Sequence, residues 1–371
     1  PKMTVLLEEA VNSYTKTYMA GNQALGRNLD ANAMRNHFYR FPGVDNDKDK
    51  TLSAMLRMAV IAQTQERYEK APVETDEQRA EKAALEGLVK QLFVELKRDF
   101  KPSDLPPYTL VKLGMHLAGT SQPEESISYF DEILDPSEPD PVRKKARING
   151  MSKYRKNAVF GKAVALGRSK DNAKVDTAIK MMRDELSKEE SSSNPDRKAM
   201  EDAQYNLVKF TSARQDWPAV IAAADKYREN KTYKKNLPEV LYLQGEAYLK
   251  QNELDKALIN FMNITGTYKG LVKWSAPAVL AQMDTLWKRN TMSQGAGKQP
   301  SDRYVAWKAG SQYVQLLDTP ANRKKMTAED SALVNEVKDK TAKFGSDPAV
   351  SQERADIAAY EAAVRAAKGQ K

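Results

Sequence analysis

Two short stretches joined by a polar break, Leu241-Tyr-Leu-Gln-Gly245-Glu-Ala-Tyr248 and Ala257-Leu-Ile-Asn-Phe261-Met-Asn-Ile264, set small residues beside large ones at helical spacing. Gly245 and Tyr248 share a face of the first stretch, and Ala257 and Phe261 share a face of the second. A residue without a side chain opposite a ring lets two antiparallel helices approach closely and interlock. The offsets recur upstream: Leu110, Leu113, Gly114, Leu117, Ser126, Phe130 and Ile133 correspond to Leu241, Gln244, Gly245, Tyr248, Ala257, Phe261 and Ile264, with twelve positions from glycine to small residue in both copies. A single helix pair of this kind cannot bury its own apolar face, so such units stack on one another. The pattern predicts an all-α fold, an irregular solenoid of antiparallel helix pairs.

The spacing resembles the tetratricopeptide repeat (TPR), whose Gly, Tyr, Ala and Phe positions are matched, while Leu241 stands at its Trp position and Gln244 at the Leu before Gly. The resemblance covers roughly residues 102–320. It implies a non-enzymatic scaffold, without a cofactor, that holds a partner protein or extended peptide in a concave groove lined by the first helix of each repeat. It places Tyr242, Glu246 and Lys250 there in the better unit, and Val111 and Met115 in the earlier one. The helix pair followed by Thr267-Tyr268-Lys-Gly270 and a new helix over 276–286 is similar in style to bacterial cell-envelope TPR proteins that assist outer-membrane or division assemblies.

Composition agrees with helix throughout. The 371 residues are 41% hydrophobic and 29% charged, with 14 Met and few alternating β-branched runs. There is no cysteine, which removes disulfides, thiolate nucleophiles and cysteine-bound zinc or iron–sulfur clusters. Absence of cysteine is compatible with either redox compartment, and a chain that avoids unpaired thiols sits comfortably in an oxidising periplasm or outside the cell. No run of about 18 apolar residues is present, so no membrane-spanning helix is expected. The sequence starts at Pro1 without an initiator Met, from which we expect an upstream segment to have been removed or left out.

Three regions are expected: an N-terminal helical region over 1–101 with a loop insertion near 22–50, TPR-like repeats over 102–320, and C-terminal helices over 321–371 that serve as a cap. Helices are predicted over 4–18, 52–68 and from a Thr75-x-x-Gln78 cap to about Phe100, the last with a Leu85, Leu88, Leu92, Phe93, Leu96 stripe. One long helix is predicted over 141–166, followed after the 167–171 break by a helix carrying Ala178, Met182 and Leu186. Further pairs are predicted over 197–230 and 275–317, with the Gly/Gln/Lys stretch 293–300 between the helices of the second. The small-residue positions Ser126, Ala178, Val220, Ala257 and Ala309 lie 52, 42, 37 and 52 residues apart, so the array is irregular. Helices over 328–344 and 348–367 end the chain.

Catalytic and metal motifs fail on inspection. Gly295-Ala-Gly297-Lys298 lacks the first glycine of a phosphate loop, where Met292 stands, and Gln299 replaces the magnesium-binding hydroxyl. Asp45-x-Asp47-x-Asp49 begins like a calcium loop, but Lys50 and Leu56 occupy the glycine and glutamate positions. His37 and His116 lie in different segments with no evident partners, and the adjacent pairs Glu8/Glu9 and Glu189/Glu190 read as solvated charge. Trp217, Trp274, Trp287 and Trp307 are expected to fill helix interfaces, an open sugar-binding surface being the alternative.

Charge is unevenly spread. From 141 to 174 there are eleven Lys or Arg against one acid, whereas 120–140 holds seven acids and no Lys or Arg. Either the two segments neutralise each other, or Arg143, Lys144, Arg147, Lys153, Arg155 and Lys156 form a basic face for an acidic protein, nucleic acid or anionic polymer.

Overall fold

The computed structural model describes residues 50–369 except 74, 121, 296, 324 and 325, together with Ser13 and Thr17. The predicted helix over 4–18 and loop near 22–50, His37, the Glu8/Glu9 pair and all but the end of the Asp45 motif lie outside them. Among the described residues there are sixteen α-helices and no strand. The chain divides into two compact units, one ending at Met181 and the other beginning at Met182.

The first unit holds α1 (Lys50–Lys70), α2 (Asp76–Asp99), α3 (Pro107–Ala118), α4 (Ile127–Leu134), α5 (Pro141–Gly150), α6 (Arg155–Gly167) and the start of α7 (Asn172–Glu190). The second holds the rest of α7, then α8 (Arg197–Ala213), α9 (Trp217–Glu229), α10 (Leu237–Lys250), α11 (Leu254–Thr267), α12 (Val272–Arg289), α13 (Asp302–Leu317), the single turn α14 (Pro320–Arg323), α15 (Ala328–Gly345) and α16 (Pro348–Gly369).

Local chemistry sets the boundaries. Gln78 N–H donates to Thr75 Oγ1 at 3.2 Å and Thr75 N–H to Gln78 Oε1 at 3.1 Å, the reciprocal cap that starts α2. Asp196, Asp216 and Ser301 cap α8, α9 and α13, and Thr327 opens α15 with a second reciprocal cap. The α8–α9 and α10–α11 turns are copies. Gln215 and Asn252 both adopt left-handed φ, 57° and 62°. Asp216 N–H reaches Thr211 O at 3.1 Å, and Glu253 N–H reaches Tyr248 O at 2.9 Å, closing the same helix-ending motif 37 residues apart.

Packing follows the small-to-large rule. A Cβ on Gly245 would stand 2.6 Å from Phe261 Cε1, and one on Gly114 would stand 2.8 Å from Phe130 Cε1. Both contacts are too short for any side chain, so glycine is what allows each first helix onto its partner. Phe130 has a second such neighbour: a Cβ on Gly161 of α6 would lie 2.2 Å from its Cζ. In the first unit α6 thus closes over the α3–α4 pair, around a core of Leu92, Leu96, Leu110, Leu113, Phe130 and Ala158.

In the second unit each helix from α8 to α12 packs on the next and α13 packs on α15, giving the pairs α8/α9, α10/α11, α12/α13 and α15/α16. The first helices also meet one another, α8 on α10, α10 on α12 and α12 on α15, which brings their faces into one strip. Successive cores lie between the layers, around Tyr227 and Val240, then Phe261 and Ile264, then Met283 and Val337. Gln244, where the repeat pattern has Leu, is fully buried: its Oε1 accepts from Arg228 at 2.7 Å and its Nε2 donates to Asp225 at 2.7 Å, both on α9. A polar link between neighbouring pairs replaces an apolar one.

Three expectations need correction. The predicted helix over 141–166 is two, because weak helix formers Asn149 and Gly150 end α5 and Met151, 3% exposed, turns into the core before a 3₁₀ turn leads to α6. On α13 the close-packing position is Gly310, whose Cβ would meet Thr341 Oγ1 at 2.1 Å, rather than Ala309. Glu189 is not solvated charge: it is buried, and it accepts the Asp196 N–H at 2.7 Å ahead of α8.

Candidate functional site

The strip formed by the first helices of the second unit carries aromatic side chains that pack against the cores while staying partly exposed, with carboxylates among them. Tyr205 on α8 and Tyr242 on α10 occupy the same repeat position, 37 residues apart. Tyr205 donates its phenol proton to Glu239 Oε2 at 2.5 Å, and Lys209 stands 3.5 Å from the other oxygen of that carboxylate. Tyr242 is half-buried, with its ring 5.8 Å from Phe261 and 6.3 Å from Trp274 of α12, and its hydroxyl bonds to Glu246 one turn on.

Burial shapes the ionisation of this pair. It raises the Tyr242 phenol well above its ordinary value, with the Glu246 charge and hydrogen bond adding to the effect. Burial also raises the Glu246 carboxyl, only partly offset by the Tyr242 hydrogen bond and the charge of Lys250. Lys250 is exposed at the end of α10, and Glu336 on α15 is near enough for its charge to act on Tyr242. Beyond Glu336 lies a recess of about 810 Å³ walled by Asp284, Trp287, Lys340 and Phe344, in which Trp287 stacks on Phe344 at 3.9 Å and Lys340 pairs with Asp284 at 2.5 Å.

Of the five residues assigned to partner contact, Tyr242, Glu246 and Lys250 lie together on this strip. Met115 of the first unit is 54% exposed. Val111 is 4% exposed and belongs to the first unit's core, so it is withdrawn as a contact: at the position of Tyr242, α3 faces inward. Sequence reading missed Tyr205, Glu239 and Glu336, and named Trp274 only as a helix-interface residue, where it does pack. The 37-residue echo of Tyr242 at Tyr205 was the available signal for the first; the others depend on which helices become neighbours.

Four of the eleven cations of the basic segment pair with the acids before it. Lys144 pairs with Asp135 at 2.6 Å, Arg147 with buried Glu132 at 3.0 Å, Lys162 with Asp131 at 2.6 Å and Lys174 with Glu124 at 2.6 Å. Arg168 donates to the carbonyls of Ala118 and Thr120, closing the end of α3. Arg143, Lys153 and Arg155 are exposed, Lys156 is half-buried, and the Lys153 ammonium lies over the Tyr154 ring at 4.7 Å.

Elsewhere, His116 stacks on Phe93 at 3.9 Å, and burial followed by the charge of Lys90 lowers its pKa. Residues 293–295 and 297–300 lie outside any helix, and a Cβ on Gly297 would stand 2.5 Å from Tyr360 Cζ of α16. Trp217 packs in the α8–α10 core, and Trp307 lies under the Arg354 guanidinium at 4.1 Å. Among the described residues no group of three metal-ligating side chains converges, and no helix is long and apolar enough to cross a membrane.

The fold class defined by this geometry is an all-α array of helix pairs stacked in chain order. Compared with protein-family models, with curated proteins and with solved structures, the chain matches none.

Proposed function

We propose that the chain is a non-enzymatic, TPR-like scaffold that binds an extended segment of a partner protein along the first helices of its second unit. The observation that carries this reading is the half-buried Tyr242–Glu246 pair beside Trp274, on the face where successive first helices meet. Aromatic walls with a few fixed polar groups suit recognition of an extended peptide, where rings supply area and carboxylates fix register. Pairing of Lys144, Arg147, Lys162 and Lys174 with nearby acids favours this strip over the basic segment as the binding surface. The envelope-assembly role rests on the resemblance and the absence of cysteine.

A photo-crosslinking residue at Lys250, on the strip, is compared with one at Met262, exposed on the second helix α11. Discrete partner adducts from position 250 and none from 262 are expected in the source cell. Adducts from 262 alone, or equal yields from both, would overturn the assignment.

A further inference from the structure

Glu239 and Glu246 lie two turns apart on α10, and the fold treats them differently. Glu239 has its cation built in, since Lys209 of α8 stands 3.5 Å away while Tyr205 donates to it. Glu246 has its tyrosine but, among the described residues, no Lys or Arg in an ion pair; Lys250 acts on it only through its charge. A half-buried carboxylate left one cation short holds a preorganised place for one. One turn before it, Tyr242 has its ring 6.3 Å from that of Trp274 and inclined to it at 47°, and the negative charge of Glu336 also reaches Tyr242. Trp274 already carries a cation, for the Lys273 ammonium lies 5.5 Å from its ring centroid. Such a corner fits the alkyl stem of a basic side chain against the rings and its charged end against the carboxylate.

We propose, resting on the groove reading above, that Glu246, together with the adjoining Tyr242 and Trp274 rings, receives a Lys or Arg side chain of the bound segment and sets its register. The partner is therefore a basic peptide segment. Lys209 beside Glu239 is the chain's own version of the contact the ligand makes at Glu246. The raised carboxyl of Glu246 agrees with this, because an arriving cation relieves an unfavourable buried charge.

The test is selection of random linear displayed peptides against the full chain, followed by affinity measurements on wild type, Glu246→Gln and Trp274→Ala, with circular dichroism confirming retained helix. Selected peptides should carry Lys or Arg at one fixed register. They should lose at least about tenfold in affinity for Glu246→Gln, the worth of one hydrogen bond to a charged group. Replacing that residue in the peptide by norleucine should cost the same on wild type and little more on the variant. Peptides that lose affinity for Trp274→Ala but show no basic register, or ignore Glu246→Gln, would overturn the cation site and leave the groove standing. Peptides indifferent to both substitutions, or no selected peptide, would overturn both.

Discussion

A methyl group on Gly245 would have to displace the Phe261 ring from a closed core, so Gly245→Ala should cost about 1–3 kcal/mol, read by denaturant unfolding. An unchanged midpoint would refute the close approach. Glu246 should behave in the opposite sense. Its folded-state pKa lies above the ordinary 4.5, so its stabilising contribution is complete below that value and is lost as pH rises through the folded pKa. At pH 7 the charged form weakens the fold, and Glu246→Gln should melt higher than wild type, the difference vanishing in acid. A group that costs stability where the protein works is the kind a binding site retains. For His116 the sign reverses. Its folded pKa is depressed, so the stability it supports is present above the ordinary imidazole value of about 6.5 and is lost as pH falls through the folded pKa. His116→Phe should remove that component of the acid sensitivity, measured as melting temperature against pH.

Between elements, the joint of α12 and α13 is held by charge rather than by a tight turn. Arg289 donates to both oxygens of Asp302, at 2.9 and 2.6 Å, and also to Asp255 of α11 at 2.6 Å, while the Thr291 N–H reaches Asp302 at 2.7 Å. Burial alone would raise the Asp302 carboxyl, yet these bonds together hold it below the usual carboxylate range. Asp302→Asn should therefore destabilise by about 3 kcal/mol, as removal of one partner from a buried pair does. Hydrogen exchange should quicken first at the ends of α12 and α13; a uniform response would count against a local joint. Cap signals made elements of this kind legible, as at Thr75 and Gln78. The long helix expected over 141–166 was misread because periodicity continues across 149–151, while only packing shows that Met151 must turn inward.

Gly114 and Gly245 lie in different compact units and touch different rings, so Gly114→Ala and Gly245→Ala together should add to within about 0.5 kcal/mol. A larger coupling energy would mean that the two sites interact energetically. The sequence by itself determined the all-α class, the two glycine–phenylalanine helix pairs, most helix ends and three of the residues on the strip of first helices. These follow from local periodicity, capping chemistry and matched small-to-large spacing, all of which act over a few turns of chain. Only the tertiary structure decided that Gly161 grips Phe130 from the other side, that Val111 faces the core, that four acids of 120–140 pair with cations of 141–174, and that Trp274 stands beside Tyr242. The physical reason is distance along the chain. Which helix lies against which, and which charge finds which partner, depends on packing between segments tens of residues apart, where no local periodicity reaches.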